Sequence, residues 1–364
     1  HQRTDRRADG TPRAGLAAGG LRCGSQISLK ITVARLQARY GATLNAEQWS
    51  ALNALVGCRT EQYGETLWAC TPCHRQQRFY QACGHRNCPR CQNHDTTQWL
   101  ERQQQKLLPV EYFLVTFTLP RELRDLAKRH PKTVYNLMLR CVSGTLKSFG
   151  LNKRRFNAQL GMTAVLHTHS RRLDYHPHIH VAVPSGGIDT KRKQWRKLKG
   201  HYLFKAFNLA RVFRARLLAA LKEARLALPA KVPAKWVADC THVGRGLPAL
   251  QYLSRYLYRG VLSEKQIVSD DGERVTFAFT NSETGKTEYR TLRGETFLYL
   301  LLQHVLPKGF RRVRDYGFLH GNAKRLLKLV QWVLRAPVFT GKTQPKPTVV
   351  CSRCSRPHDD HRHY

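Results

Sequence analysis

Two periodicities of apolar and polar positions alternate along the chain and sort it into helices and strands. Helices are predicted near Ile31–Tyr40 and again after Asn45. Tyr112–Leu119 (YFLVTFTL) is rich in β-branched and aromatic residues and stops at Pro120, the pattern of a strand. A helix is expected around 121–129 and another over 131–149. In the second, Val134, Leu137, Met138, Cys141, Val142 and Leu146 recur close to the helical period. Gly161–Thr168 and Ile179–Val183 read as strands joined by the short polar turn Ser170–Tyr175, so they should pair antiparallel. Residues 191–228 read as helical and very basic. Lys235–Cys240 reads as a strand, Gly244-Arg245-Gly246 as a flexible turn and 248–259 as a helix. Alternation over 264–292, broken by Asp270-Asp271-Gly272 and Thr284-Gly285, predicts a pair of β-hairpins, and helices are expected over 294–306 and 321–335. The class is α+β.

Composition divides this pattern into four stretches. Residues 1–28 form a basic arm without periodicity, expected to be disordered, and the first residue suggests a trimmed start. Residues 29–108 form a helical, cysteine-bearing region that closes with a helix at about 94–107. Residues 109–335 carry the strands and later helices. Residues 336–364, with Pro345, Pro347, Cys351 and Cys354, read as a loosely ordered tail.

Charge adds a partner. The 62 Lys and Arg residues outnumber the 24 Asp and Glu residues, giving a net charge of +38. The excess runs through Lys191–Arg196, Arg211–Arg216, Arg311–Arg314 and Lys324–Lys328 as well as the arm. Such a chain repels itself unless a polyanion neutralises it, and nucleic-acid phosphates do so with release of counterions. No apolar run approaches the roughly 20 residues needed to span a bilayer, and the arginine-rich start has no apolar core of a signal peptide. A membrane partner is therefore not expected, and a cytoplasmic location is.

Five of the 11 cysteines, Cys70, Cys73, Cys83, Cys88 and Cys91, lie within 22 residues. In a reducing compartment such clusters are metal ligands rather than disulfides. Cys70-x2-Cys73 and Cys88-x2-Cys91 are two knuckles, and together they are expected to hold one structural Zn²⁺ tetrahedrally. Cys83, His85 and His74 lie between them as substitutes for one ligand. Cys351-x2-Cys354, followed by His358, His361 and His363, reads as a second metal site, a fragment of one, or part of the loose tail.

His178 and His180 are two apart. On a strand both imidazoles share one face while Ile179 points to the other. Two neutral imidazoles on a rigid strand suit a divalent cation with positions left open for a phosphate. A third ligand is needed: His176 is the nearest candidate, then His167, then a polar side chain from the 248–259 helix. Tyr252 and Tyr256 stand at i and i+4, on one face of that helix, with Arg255 and Arg259 beside them to hold phosphates. A phenol can attack a phosphodiester and conserve the bond as phosphotyrosine. With an ordinary pKa near 10 it needs a cation or a base to do so.

These residues resemble, in order, the HUH-type transposases of rolling-circle insertion sequences, the insertion sequence ninety-one group and its common-region relatives. The likeness is carried by Cys83-Gly-His-Arg-Asn-Cys-Pro-Arg-Cys-Gln92, Val115-Thr-Phe-Thr-Leu-Pro120, Val165-Leu-His-Thr168 and His176-Pro-His-Ile-His180. It continues in Tyr252-Leu-Ser-Arg-Tyr256, Val275-Thr-Phe277, His304-Val-Leu-Pro-Lys-Gly-Phe310 and Arg314-Asp-Tyr-Gly-Phe318. The resemblance implies a palm-like antiparallel HUH nuclease sheet flanked by helices, with an N-terminal zinc ribbon. It implies Mg²⁺ or Mn²⁺ at His178 and His180, and a 5′-phosphotyrosine intermediate on Tyr252 and Tyr256. It further implies single-stranded and duplex DNA of the element ends and target as partners, together with host replication machinery. No Walker-type phosphate loop is present, so no nucleotide cofactor is expected. Other readings of the same residues are a plasmid replication initiator or relaxase with this chemistry, a non-catalytic zinc-ribbon DNA-binding protein, and a zinc hydrolase needing a carboxylate partner.

Overall fold

The computed structural model describes residues 24–88, 91, 103–154, 156–198, 203–245, 261–262, 266–281, 284–337, 350–356 and 360–363. The chain begins with helices α1 (Gly24–Tyr40) and α2 (Ala46–Gly57). Asn45 starts α2 through a reciprocal cap: its side chain accepts from the Gln48 N–H, and the Gln48 side chain accepts from the Asn45 N–H, both at 2.9 Å. A hairpin follows, β1 (Glu65–Ala69) and β2 (Gln76–Tyr80).

Next come β3 (Glu111–Thr118), α3 (Arg124–Arg129) and α4 (Pro131–Gly150), then β4 (Gly161–His169) and β5 (Tyr175–Pro184). A small hairpin, β6 (Gly186–Asp189) and β7 (Gln194–Lys197), leads to α5 (Ala206–Glu223) and β8 (Ala238–Arg245). The remainder is β9 (Ile267–Asp270), β10 (Arg274–Thr280), β11 (Thr287–Arg293), α6 (Gly294–Leu302), β12 (Val313–Gly317), α7 (Lys324–Val333) and β13 (Asp360–His363).

The expected α+β class holds. Five strands form an antiparallel sheet in the order β12-β4-β5-β3-β8, with β5 at its centre. Strand alternation gives this sheet two faces. Phe113, Val115 and Phe117 of β3, Met162, Ala164 and Leu166 of β4, and Ile179, Val181 and Val183 of β5 bury one face against α4 and α5. The other face carries Thr116, His167, His178 and His180, the complementary positions of the same three strands.

Two expectations about organisation change. The boundary near residue 108 does not separate two cores. Leu36, Ala51 and Leu52 of α1 and α2 are buried with Phe277 of β10 and Phe297 of α6. The Gln48 amide also donates to the Leu302 carbonyl at 3.0 Å. Nor is the tail from residue 336 loose throughout, because β13 pairs antiparallel with β1 from Ala69↔Asp360 to Thr66↔His363.

Within 191–228 the first part is not helical. Asp189 accepts from the N–H groups of Lys191 and Arg192, both at 3.1 Å, and its carboxylate pairs with Arg196 at 2.7 Å. That turn chemistry folds Gln194–Lys197 back as β7 and overrides the basic, helix-like composition. The helix expected at 94–107 falls mostly outside the described residues. No helix among the described residues is long and apolar enough to cross a membrane.

Candidate functional site

The register of β4 on β5 sets His167 directly opposite His178, while Thr116 of β3 and Val165 of β4 flank His180. Residues opposite on one face of an antiparallel pair have their Cβ atoms about 5 Å apart. Three imidazoles therefore converge, and ligand nitrogens of His167, His178 and His180 all lie within 4.8 Å of one another.

Each ring is aimed. His178 Nδ1–H donates to the His176 carbonyl at 2.7 Å, which leaves the Nε2 lone pair free to point inward. His180 Nδ1 is held by the Thr116 hydroxyl at 2.9 Å, so its Nε2 also points inward. The two Nε2 atoms are 3.1 Å apart. Ligands at right angles around a small divalent cation, each about 2.1 Å from it, would be separated by about 3.0 Å. His167 is buried, and its Nε2 has no hydrogen-bond partner among the described residues. A buried imidazole nitrogen without a partner beside two inward-facing lone pairs is what a cation would satisfy. The donor set therefore fits a divalent metal.

Burial also keeps the rings neutral. It pushes His178 down to about 4, against the opposing effect of the His176 carbonyl, and His180 down to about 3, helped by the nearby His178. His167 is lowered well below its usual value by burial and then by His180, His178, His169 and Arg312. Neutral imidazole is the ligating form.

His176, the first candidate for the third ligand, does not join this cluster. Its Nδ1 accepts from the Arg124 guanidinium at 2.6 Å, and burial followed by that charge lowers its pKa. His167 takes the place because it lies directly opposite His178, whereas the His176 ring is engaged by Arg124. Asp174, the carboxylate nearest in sequence, pairs with Arg290 at 3.0 Å. Tyr252, Tyr256, Arg255 and Arg259 lie outside the described residues. A different tyrosine, Tyr175, stands on β5, but burial and the hydroxyl of Tyr135 raise its pKa far above the ordinary phenol, which makes it a poor nucleophile.

The cysteines separate differently from the expected single set. Cys88 and Cys91 group with Cys58 and Cys83, whereas Cys70 and Cys73 group with Cys351 and Cys354. The β1–β2 hairpin explains the split. Cys70 and Cys73 form its tip, next to the pair Ala69↔Gln76. Cys58 and Cys83 flank its base, where the Arg59 N–H donates to the Gln81 carbonyl at 3.1 Å. Five strand residues put about 16 Å between tip and base. Four thiolates spread over both ends cannot share one ion.

The base cluster reaches the histidines. Arg86, between Cys83 and Cys88, donates to the carbonyls of Leu306 (2.6 Å), Pro307 (2.9 Å) and Phe310 (2.9 Å). Its neighbour Asn87 lines a cavity of about 30 Å³ together with His167, His169, His304 and Arg312. Arg124 carries no sequence signal. Thr116 lies within the Val115–Pro120 motif, but nothing in the sequence ties it to His180. Cys58 opens the run of cysteines that ends at Cys91, and Cys83 is marked by its spacing to Cys88 and Cys91.

A family model described as a putative transposase matches residues 161–326, and one described as a transposase zinc-binding domain matches residues 29–119. The chain is 32% identical over 329 residues to the putative transposase y4qJ of Sinorhizobium fredii (strain NBRC 101917 / NGR234), covering 82% of each chain. It is 26% identical over 287 residues to the transposase for insertion sequence element IS801 of Pseudomonas savastanoi pv. phaseolicola, covering 73% of this chain and 68% of that one. Among solved structures, the conjugative relaxase TrwC in complex with oriT DNA, in its metal-free form, overlays with a TM-score of 0.28 at 15% identity. That overlay covers 62% of this chain and 73% of TrwC.

Proposed function

The chain belongs to the transposases related to insertion sequence ninety-one, and from that premise we propose that it cuts and rejoins single-stranded DNA through a tyrosine nucleophile assisted by a divalent cation. As a transposase it is an enzyme that binds and cleaves DNA. Its zinc-binding domain and cysteine clusters support structural zinc. For the base set, Cys58, Cys83, Cys88 and Cys91, four thiolates leave no open position for substrate.

The observation that carries the proposal is the convergence of His167, His178 and His180 around the unpartnered, buried Nε2 of His167. Mg²⁺ or Mn²⁺ bound there would supply Lewis-acid polarisation of the scissile phosphate. The residues of the chain do the rest. The His176 carbonyl fixes His178 in the tautomer that ligates through Nε2, and the Thr116 hydroxyl orients the His180 ring. Tyr252 or Tyr256 supplies the attacking oxygen. Its bond to phosphorus forms as the bond from phosphorus to the 3′ oxygen breaks, and the 3′ oxygen leaves with a proton as a free hydroxyl. Two tyrosines permit a second transfer on the product of the first. Arg255 and Arg259 hold the flanking phosphates. Host replication machinery separates the strands, and the bound state is on the bacterial nucleoid in the cytoplasm.

The test is incubation of the full chain with single-stranded DNA of the element's end and Mn²⁺. A protein–DNA adduct that survives denaturation is expected. It should be lost without the cation and in the Tyr252→Phe, Tyr256→Phe double variant. An adduct that persists in the double variant removes both tyrosines from the reaction and leaves them structural.

A further inference from the structure

We infer that Cys70, Cys73, Cys351 and Cys354 bind a second Zn²⁺, so that a zinc ribbon is assembled from two distant parts of the chain. The pairs Cys70–Cys354 and Cys73–Cys351 bring their sulfurs to 3.4 and 3.5 Å across separations of 284 and 278 residues. All four sulfurs lie within 4.8 Å of one another. Sulfurs at tetrahedral corners about 2.3 Å from Zn²⁺ are about 3.8 Å apart. Cys70 and Cys351 are buried, at 0% and 1% exposure, and none of the four is in a disulfide.

The two halves are copies of one local structure. In the first, the Cys70 N–H donates to the Arg75 carbonyl at 2.9 Å, the His74 N–H donates to the Cys70 carbonyl at 2.7 Å, and His74 turns the chain at φ 54°. In the second, the Cys351 N–H donates to the Arg356 carbonyl at 2.8 Å, the Ser355 N–H donates to the Cys351 carbonyl at 2.9 Å, and Ser355 turns the chain at φ 56°. Each knuckle places two sulfurs on one side, and the two sides face each other. Strand β13, which follows the second knuckle, pairs with β1, which precedes the first. Four soft sulfur donors in a closed tetrahedral set select Zn²⁺ and leave no coordination position for a substrate. The family models match residues 29–119 and 161–326, so neither reaches the second knuckle. The inference does not depend on the tyrosine chemistry and stands or falls apart from it.

Elemental analysis of the purified full chain tests it. Two zinc ions per chain are expected in the wild type, and one in the Cys351→Ser, Cys354→Ser variant. Wild type holding one ion, or the variant holding two, overturns the site. A second measurement leaves every cysteine in place. A protease site is inserted between Pro337 and Val350 and cut under native conditions. The cut C-terminal piece should co-elute with the body while zinc is bound and separate once a chelator has stripped it. A piece that separates with zinc bound, or stays after both ions are gone, overturns the inference.

Discussion

His167 and His176 were rival third ligands, and a metal titration separates them sharply. Thr116 is the calibrating perturbation. Its hydroxyl lies 2.9 Å from His180 Nδ1, the ring nitrogen on the side away from the one that meets His178. Groups that orient a ligand in this way are worth ten- to a hundred-fold in metal affinity, about 1.4–2.8 kcal/mol. Thr116→Val, which keeps the shape and removes the hydroxyl, should weaken Mn²⁺ binding by that factor. His167→Ala removes one of three ligands outright, so its loss should exceed about a hundred-fold, the upper end of the orienting effect. His176→Ala should change affinity by less than about three-fold, because its Nδ1 is engaged by Arg124 and its ring is outside the cluster. The assay follows the free Mn²⁺ resonance signal while the full, zinc-loaded chain is titrated, with thermal melting as a check that each variant is folded. The reasoning fails if His176→Ala costs as much as His167→Ala, or if a folded His167→Ala variant binds Mn²⁺ like the wild type.

Two further outcomes follow from buried groups. His304 donates Nε2–H to the Leu173 carbonyl at 3.1 Å, and its buried Nδ1 has no partner among the described residues. Burial lowers its pKa from 6.5 to about 4, with the Leu173 carbonyl opposing. The unfolded chain thus binds this proton first, so the stability contributed is complete above about pH 6.5 and is lost as pH falls toward 4. Between pH 7 and 5 the loss through this residue is about 2 kcal/mol, and a folded His304→Gln variant should show a pH dependence of unfolding shallower by that amount; an unchanged slope would remove His304 from the acid sensitivity. At the end of β12, Gly317 has φ +62°, and a Cβ there would sit 1.7 Å from the backbone oxygen of Leu160. Gly317→Ala should therefore destabilise the chain by about 3 kcal/mol, lowering its melting temperature, and a variant melting with the wild type would contradict the packing of β12 on β4.

What could be read from the sequence was local. The period of two in His178-Ile179-His180 placed both rings on one face, and the structure has them there. The identity of their companion depends on strand register. Only the pairing of His167 with His178 brings the third ring in, and only the position of Arg124 takes His176 out. The cysteine knuckles show the same limit. Each Cys-x2-Cys turn is written in four residues, but which turns share an ion depends on the hairpin between them and on a tail far along the chain. The β7 strand was hidden by its charge, because basic composition suits a helix face as well as a strand, and the Asp189 turn decides between them. Strand β12 overlaps the motif Arg314-Asp-Tyr-Gly-Phe318 but has no strand alternation in its sequence. Its pairing with β4 supplies an edge that five half-buried residues alone do not announce. The tyrosine pair, legible at i and i+4, lies outside the described residues.

The pairing of β1 with β13 has a consequence for how the protein is made. A ribosome adds about 5–20 residues per second, and 278 residues separate Cys73 from Cys351. The nascent chain therefore carries the first knuckle, with two uncapped thiols and an open strand edge, for roughly 15–55 seconds before its other half exists. The nuclease sheet is synthesised within that interval. Its strands can find one another before the second knuckle has been made, so the sheet has no need to wait for the ribbon.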